Sequence, residues 1–508
     1  MRSLSTTLTN ASTALNKQPI WKLVLSRAAA STRAYDQTRV TDIAHTESPA
    51  SYSAEVVLRN SDTTLTALDF EHYQMVLSYG YKTGVTRSAW GAASAYAIDD
   101  IVIPSGTAVN GFQYRCSIAG TTAASQPSWS TTLGITIADS SVTWEMDGST
   151  GDEYSRTAPL RVRSQSFHSG RGILKCVLRA EGIVNQLDED KAASSASFGS
   201  AVTTLVQDYI TNIAGTAVAA YSSYTAYTVV YDSTDGIIGT FAPADYFSIT
   251  LNESRWSKVE ELLDYTKCKA REEADGKLHV LLPTTSGTAY NQEYKFNVSG
   301  SHNFWNKELR LRFVNPNQEI VISSPDHSPS YSGTATSASS FALAPKTHTT
   351  YRRLTSNAQA GSIAAAIMDR RELDAERGFA TVPMNVGQEL WDYVNITDSR
   401  ENDSRTGNIQ YLQRNVAIHD NNQPLTWTMN LAFGKVTQQS LLANGLTEGG
   451  GRLSTTDLLL LIEGLTETME IFKENQNILF DAVKELRARD TVPKWRVAQQ
   501  LQVPSAGT

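Results

Sequence analysis

A stretch from Ser88 to Gly148 interrupts the sequence, and its composition differs from that of both flanks. It holds three of the nine tryptophans of the chain and only six charged side chains. The pair Asn110-Gly111 lies between apolar runs, which is typical of a tight hairpin turn, and Phe112–Cys116 alternates as the next strand. These features predict a small β module with its own core, inserted in a loop of another domain.

The sequence on either side of this module is interpreted as one β domain cut in two. The last strand pattern before the module has no obvious partner strand. After the module, two further strands flank a turn predicted at His168–Gly170. The later strands can complete the sheet that the earlier ones begin. The predicted strands are Ile20–Leu25, Tyr52–Leu58, Tyr73–Tyr81, Pro159–Ser166 and Gly172–Glu181.

Helical patterns become frequent after the split domain. Apolar residues at helical spacing predict helices at Ser200–Ile213, Glu253–Thr266 and Ala358–Ala375. The second helix is followed by a predicted strand, a tight turn at Asp275-Gly276 and another strand. The Ser/Pro/Ala-rich residues 325–346 predict a long loop. The fold class expected is therefore multidomain, mainly β with α+β parts.

A heptad pattern follows a glycine-rich linker at Gly445–Gly451. Apolar residues recur at alternating intervals of three and four, which is typical of a self-associating coiled coil, although the seam does not decide between two and three strands. An amphipathic helix packed on its own domain is the alternative. The seam consists of Ile462, Leu465, Met469, Phe472, Gln476, Leu479, Val483 and Leu486.

Composition and charge argue against several classes of function. The 508 residues have a formal net charge of −8 and no cluster of Lys and Arg, so sequence recognition of nucleic acid is not expected. No apolar run is long enough for a transmembrane helix, and the first residues lack an apolar secretory core, which predicts folding in a cytoplasm. The three cysteines are far apart and are expected to be buried free thiols.

Local motifs for catalysis or metal binding are missing from the sequence. The eight histidines are scattered, and there is no His-Glu-x-x-His, Cys-x-x-Cys, Gly-x-Ser-x-Gly or phosphate-binding glycine loop. His168, near Asp152 and Glu153, is interpreted as part of a turn and not of a hydrolytic cluster. Asp99 and Asp100 are interpreted as solvated. We therefore predict no catalytic residue, no metal, no cofactor and no enzymatic activity.

Aromatic residues of the module are the better indication of function. Sugars present apolar C–H faces that stack on aromatic rings. The alternative is that a small domain uses its large rings to fill its own core, which is the favoured interpretation for Trp90 and Trp144. Both interpretations stay open for Trp129, which lies in a loop that contains proline. The candidate carbohydrate-binding residues are Trp90, Tyr96, Tyr114, Trp129 and Trp144.

Several segments of the module follow a familiar pattern. They are Ala89-Trp90, Tyr96–Val102, Asn110–Cys116, Ala119–Thr121, Gln126–Trp129 and Val142–Trp144. Together they resemble the small carbohydrate-binding β module of the chitin-binding type found in phage structural proteins. Asp99-Asp100 stands where Gly-Asp is typical. The resemblance implies glycans of a host surface as the ligand.

Four stretches of the flanks carry a second resemblance. They are Tyr52–Asp62, Gly182–Lys191, Val259–Leu282 and Glu389–Arg400. They resemble the tail hub proteins, also called baseplate hub or tail-associated proteins, of long-tailed phages. This resemblance implies a homotrimer in which each chain supplies two related β-barrel domains to a ring that closes the tail tube, with the heptads as a central coiled coil.

The same resemblance implies partners and a location. The partners are the distal tail protein and tail tube, the tape measure protein, and a central tail fibre or spike. The location is the distal tail tip of the virion, after assembly in the cytoplasm of a host bacterium. A bacterial tail-like device fits equally well. A secreted carbohydrate-active enzyme with a binding module is the alternative from another class, but neither a signal peptide nor a compact acid pair is seen.

The expected domain organisation combines these inferences. Residues 1–87 and 150–195 are the two parts of the first hub β-barrel domain, and residues 88–149 are the inserted carbohydrate-binding-like module. An α+β hub domain follows at 196–300, and a second hub β-barrel domain at 301–440. Residues 441–508 are the glycine-rich linker and the coiled-coil helix with its tail.

Overall fold

The computed structural model describes residues 1–434 except 15, 29, 171–172, 199–202, 244–246, 311–312, 326–327 and 419–424. The linker and the heptad seam therefore lie outside the described residues. Within the described ranges, none of the helices has the length and apolar character to cross a membrane. Before the inserted stretch the elements are α1 (Thr6–Thr13), β1 (Pro19–Ser26), β2 (Arg33–Asp36), β3 (Val40–Ser48), β4 (Ser51–Arg59) and β5 (Gln74–Lys82).

The inserted stretch folds into short strands around a separate core. The strands are β6 (Ser88–Ala89), β7 (Ala95–Tyr96), β8 (Ile101–Ile103), β9 (Phe112–Ile118), β10 (Gly120–Thr121), β11 (Thr136–Asp139) and β12 (Val142–Ser149). β9 is central in a five-stranded sheet with the order β11-β12-β9-β8-β6, and β7 pairs with β10. The buried side chains of this sheet form a cluster of their own.

Long strands resume after the inserted stretch and are followed by a mixed region. Helices predicted from apolar spacing are present there, although each is shorter than expected. The elements are β13 (Asp152–Arg156), β14 (Leu160–Gly170), β15 (Ile173–Glu181), α2 (Ile183–Glu189), β16 (Ala196–Ser197), α3 (Val206–Ala214), β17 (Val229–Tyr231), β18 (Ser248–Ile249), α4 (Arg255–Leu263), β19 (Lys269–Glu272) and β20 (Leu278–Leu281).

The last part of the described chain is again mostly strand, with one long helix that matches its predicted range closely. The overall content is mainly β with α+β parts, so the predicted fold class is confirmed. The elements are β21 (Gln292–Lys295), β22 (Asn306–Arg310), β23 (Gln318–Ser323), β24 (Ser332–Thr336), α5 (Ala338–Leu343), β25 (Thr347–Arg352), α6 (Asn357–Ala375), β26 (Arg377–Pro383), β27 (Tyr393–Asp398), β28 (Asp403–Ala417) and β29 (Thr426–Phe433).

The strands on either side of the insertion pair with each other. β5 is antiparallel to β13, with Lys82 opposite Asp152, and it also pairs with β1 and β14. At the base of the insertion the amides of Thr83 and Gly84 both donate to the carbonyl of Gly151, at 3.0 and 3.1 Å. The chain therefore leaves the sheet and returns to it at one point, and the body sheet is continuous without the inserted residues.

Closed barrels are not found among the described residues, so the expectation of β-barrels is wrong there, while the division of the chain into hub domains stays a prediction. One sheet runs in the order β2-β1-β5-β14-β15-β4-β3-β28-β29-β26-β22, with β13, β21 and β27 joined at its sides. The physical reason is the pairing of β3 with β28 over six residue pairs. The edge of β3 obtains its backbone hydrogen bonds from the end of the chain, and this leaves no free edge there for closure of a first barrel.

A buried ion pair fastens this junction between the beginning and the end of the chain. Arg414 of β28 is fully buried, and its Nη1 is 2.5 Å from Oε1 of Glu47 on β3. Its Nη2 donates to the carbonyl of Gln388 at 2.5 Å. Burial would raise the pKa of Glu47, but the charge of Arg414, followed by those of His45 and Arg2, holds it below its ordinary value. The carboxylate therefore stays charged inside the sheet.

Two local predictions are wrong for reasons of pairing. β14 continues through His168 to Gly170, which lies opposite Ile173, so residues 168–170 belong to a strand and not to a turn. The predicted loop 325–346 contains β24 and α5. β24 consists of small polar residues and has no apolar alternation, but pairing with β23 satisfies its backbone. A Cβ at Gly333 would lie 2.1 Å from the amide nitrogen of Gly361, so α6 can approach only a glycine there.

The four stretches that carry the hub resemblance meet in space. Glu272 Oε1 accepts a hydrogen bond from the amide of Val184 at 2.7 Å, and the amide of Glu272 donates to the Tyr52 hydroxyl at 3.2 Å. Trp391 Nε1 donates to the Ala270 carbonyl at 2.9 Å. All of these residues lie within the four stretches. The stretches therefore form one connected packing unit.

Glu272 is buried at this meeting point. A Cβ at residue 182 would lie 2.5 Å from both carboxyl oxygens, so the residue there must be glycine. Burial raises the pKa of Glu272 to about 8, although the amides of Val184 and Ile183 favour its charged form. An uncharged carboxyl group is thus preferred in the folded state at neutral pH.

Replacement of Glu272 by Gln is expected to stabilise the fold increasingly as the pH rises. Between about pH 4.5 and 8 the folded state binds more protons than the unfolded state, so the free energy of unfolding of the wild type falls with pH in this window. Gln cannot ionise and avoids this loss of about 4 kcal/mol by pH 8. Thermal melting of both proteins from pH 5 to 8 measures the difference, with the exposed Glu71→Gln as control. A difference in melting temperature that is constant with pH would contradict the assignment.

Candidate functional site at the inserted module

Three of the five candidate aromatic residues form the core of the module. Trp90 and Trp144 both donate from Nε1 to Oδ2 of the buried Asp139, at 2.8 and 2.9 Å. The Tyr114 hydroxyl donates to the Ser130 carbonyl at 2.8 Å. These three rings are buried and their polar atoms are satisfied within the module. Enclosed rings present no face to a sugar, so these three rings form the core of the module and do not contact a ligand in this conformation.

The other two candidates, Tyr96 and Trp129, are only partly buried. Both pack on Trp144, with ring centroids 4.9 Å away for Tyr96 and 6.1 Å away for Trp129. Trp129 also packs on Tyr114 at 4.4 Å. The two rings are thus held at the rim of the aromatic core. Sugar binding by the module remains a prediction, and these two residues are now its direct candidates.

The loop that carries Trp129 is held in place by one glutamine. Gln126 Oε1 accepts from Trp129 Nε1 at 3.0 Å and from the Ser105 amide at 2.9 Å, and Gln126 Nε2 donates to the Ser105 carbonyl at 3.0 Å. Because both ends of the side-chain amide are used, the loop is tied to the opposite turn. The position of the Trp129 ring is therefore fixed by the fold of the module.

An ionic joint between the module and the body was not predicted from the sequence. Lys22 of β1 is buried, and its Nζ lies 2.5 Å from Oδ1 of Asp147 on β12. Nζ also lies 4.2 Å from the centre of the Tyr154 ring. Arg115 of β9 contacts the same Asp147 oxygen through Nε at 3.2 Å and Glu145 through Nη2 at 2.8 Å. The sequence offered no periodic pattern for this joint, because its members come from distant strands.

The joint keeps Asp147 charged inside the protein. Burial alone would raise its pKa, but the charges of Lys22 and then of Arg115 hold the pKa well below its usual range. Gln113 also donates to Asp147, at 3.3 Å, and to the carbonyl of Asp152 at the start of β13, at 2.7 Å. The module is thus fixed to the body by a buried charge network and not only by its two chain connections.

Asp99 and Asp100, interpreted as solvated, have different environments. Both are exposed, but Asp99 Oδ1 accepts from Arg115 Nη1 at 3.0 Å and lies 3.8 Å from Arg156 Nη1 of the body. Asp100 accepts from the amide of Ala97 at 2.7 Å and stabilises its own turn. Asp99 therefore extends the ionic joint to the surface, which the sequence-based interpretation missed.

A polar cavity of about 490 Å³ lies beside this joint. The module contributes Asp99 and Arg115 to its wall, and the body contributes Glu153, Arg271 and Glu273. Charges of both signs alternate around the cavity, so it has no single sign that would select an anion or a cation. The joint is therefore best understood as a structural contact.

One group of side chains elsewhere in the described residues has the composition of a metal site. Ligand atoms of Asp232, Glu273 and His279 all lie within 4.8 Å of one another. Burial would lower the pKa of His279, but the hydrogen bond with Asp232, the charge of Glu273 and the bond with Asp275 together raise it. Sequence spacing did not indicate this group, because Asp232 and Glu273 follow the ends of two different strands and His279 lies on a third. The three cysteines are buried free thiols, as predicted.

Comparisons with known proteins give distant structural likenesses. No family model matches the chain, and no curated protein matches it in sequence. Among solved structures, the tail protein from Neisseria meningitidis MC58 is 9% identical with a TM-score of 0.45, over 82% of this chain and 97% of that chain. The 43 kDa tail protein of prophage MuSo2 from Shewanella oneidensis is 10% identical with a TM-score of 0.43, over 82% and 98%. The prophage tail protein gp18 from Listeria monocytogenes EGD-e is 10% identical with a TM-score of 0.41, over 83% and 97%.

Replacement of Lys22 by Met is expected to destabilise the full chain by about 3 kcal/mol, because it leaves the buried Asp147 carboxylate short of one of its two cations. The matched background is a shortened chain in which Gly84 is joined directly to Gly151. Without the module Lys22 has no buried carboxylate to neutralise, so the same substitution should change the free energy of unfolding by less than about 1 kcal/mol. Denaturant unfolding of the four proteins measures both effects, and equal effects in the two backgrounds would show that the joint is not the cause.

Proposed function

We propose that this chain is a structural protein of a phage tail, a tail hub whose body assembles as a homotrimer and whose inserted module binds glycans of the host surface. The observation that carries the proposal is the architecture of the insertion. β5 and β13 pair directly, so the body sheet is complete without the module, and the module has a core of its own. One part is thus free to serve assembly and the other to serve recognition.

The convergence of the four hub-like stretches supports the first half of the proposal. Tyr52, Val184, Glu272 and Trp391 come from stretches that are far apart in sequence, yet they lie in one hydrogen-bonded unit. If the four resemblances were unrelated local coincidences, there would be no reason for the four stretches to contact one another in the fold. In this proposal the ring closes the distal tail tube, next to the distal tail protein, the tape measure protein and a central fibre or spike.

The distribution of charge on the module supports the second half. Of its six charged side chains, Arg115, Asp139, Glu145 and Asp147 are buried and serve the core or the joint. The charges left exposed are Asp99 and Asp100, and the side-chain amide of Gln126 lies beside the Trp129 ring. A surface of this kind suits a neutral polar ligand with apolar faces, which is the chemistry of an uncharged sugar and not of an anionic polymer.

Replacement of Trp129 by Ala is expected to weaken glycan binding by tenfold or more, because it removes the ring at the rim and keeps Trp144 and Tyr114 beneath it. Binding of the full chain to a glycan array and to host cells is the measurement. Trp305→Ala is the matched control, since Trp305 is 53% exposed and lies outside the module. If both variants bind as the wild type does, the module is a spacer. Release of sugar product in the same assay would favour an enzyme instead.

The proposed homotrimer is tested on the heptads, which lie outside the described residues. Leu465→Asp together with Leu479→Asp places charges in the seam and should convert the trimer to a monomer, because buried unpaired carboxylates oppose coiled-coil packing. Ile471→Asp is the control, since Ile471 does not occupy a seam position. Sedimentation equilibrium gives the mass of each protein. A wild-type chain that is monomeric at high concentration would refute the trimer.

A further inference from the structure

A small three-stranded sheet gathers three metal-ligating side chains at one place. β17 is parallel to β20, with Tyr231 opposite Val280, and β19 is antiparallel to β20, with Arg271 opposite His279. Asp232 follows the end of β17 and Glu273 follows the end of β19. Strand pairing therefore brings these two carboxylates from the two neighbours of β20 to the same ring nitrogen, Nδ1 of His279.

The distances between the ligand atoms fit a single small cation. His279 Nδ1 lies 2.9 Å from Asp232 Oδ2 and 3.6 Å from Glu273 Oε2. A zinc ion with bonds of about 2.0 to 2.1 Å to nitrogen and oxygen separates neighbouring tetrahedral ligands by roughly 3.3 Å. The two observed distances lie on either side of this value. The two distances from Nδ1 are therefore each within a few tenths of an ångström of the coordination value, and all three ligand atoms lie within 4.8 Å of one another.

The imidazole is oriented by a fourth residue that does not point at the proposed ion. Asp275 Oδ1 lies 3.1 Å from His279 Nε2 and also accepts from the amide of Lys277 at 3.1 Å. Gly276, with φ of 75°, makes the tight turn that folds Asp275 back over the ring. A carboxylate on the distal nitrogen is the usual partner of a metal-bound histidine, because it fixes the tautomer that leaves Nδ1 free to coordinate.

The two oxygens of the Glu273 carboxylate have different neighbours. Arg271 Nε donates to Oε1 at 2.7 Å, so that oxygen is occupied and the carboxylate plane is fixed. Oε2 is the oxygen that faces His279. Arg271 also lies 3.4 Å from Glu389, so its charge is shared between two carboxylates. One oxygen of Glu273 is thus presented for coordination.

We propose that Asp232, Glu273 and His279 form a binding site for one first-row transition dication, for which Zn²⁺ is the best match. One imidazole nitrogen and two carboxylate oxygens suit a borderline cation better than Mg²⁺, which prefers oxygen alone. The ion would join the ends of β17 and β19 to β20. It would act as a structural cross-link in the mixed region of the chain, independently of the module and of the trimer.

The test uses the full chain after removal of metals with a chelator. Equilibrium dialysis against micromolar Zn²⁺, followed by elemental analysis, should give one bound zinc per chain. His279→Gln should weaken this binding by at least tenfold, and Asp232→Asn should weaken it too. His348→Gln is the matched control and should retain the zinc, because His348 is exposed and contacts one carboxylate, that of Glu319.

Two further measurements separate a lost site from a lost fold. Co²⁺ in place of Zn²⁺ should give visible absorption bands in the wild type and not in His279→Gln. Zn²⁺ should also raise the melting temperature of the wild type and of His348→Gln, and leave that of Asp232→Asn unchanged. Asp232 is exposed, so its replacement tests the site even if His279→Gln fails to fold.

Three outcomes would overturn the proposal. The first is a wild type that takes up no zinc. The second is equal zinc uptake by the wild type and by both site variants. The third is a melting temperature that Mg²⁺ raises as much as Zn²⁺ does. In each case the cluster would be an imidazolium ion held by three carboxylates, with a proton on Nδ1 in the place of the metal.

Discussion

The pairing of β3 with β28, fastened by the buried ion pair of Glu47 and Arg414, determines the architecture of the body. A charge without a partner in this environment would be strongly destabilising, so β3 and β28 cannot separate while each holds one member of the pair. The pairing turns what would be two sheets into one. It also explains why no barrel closes among the described residues, since the edge needed for closure is already used.

In the inserted module, most of the charged side chains are buried. Lys22 of the body and Arg115 of the module both contact the Asp147 carboxylate. Arg115 also contacts Glu145, so two cations and two carboxylates neutralise one another at this boundary. Of the charged side chains of the module, Asp99 and Asp100 are left exposed, so its outer surface carries little charge. A single arrangement therefore fixes the orientation of the module and defines the chemistry of the surface that it presents.

Much of the fold could be predicted from local patterns, and little of the candidate site could. Alternation predicted the strands around Tyr52 and Tyr79, and helical spacing predicted α6, because these signals are periodic and lie within one element. β24 was missed, since its small polar residues form a strand only when β23 is beside them. The five aromatic residues were correctly placed in one module, but their division into a buried core and a partly exposed rim depends on which strands face each other.

By itself the sequence determined that the chain is mainly β, that a module with its own aromatic core interrupts it, and that a heptad segment follows a glycine-rich linker. These features depend on composition and spacing within short windows. Only the tertiary structure decided that Trp129 and Tyr96 lie at the rim, that Lys22 serves Asp147, and that Asp232, Glu273 and His279 converge. The reason is that each of these relations joins residues from different strands, and the strand pairing that brings them together is a property of the whole sheet.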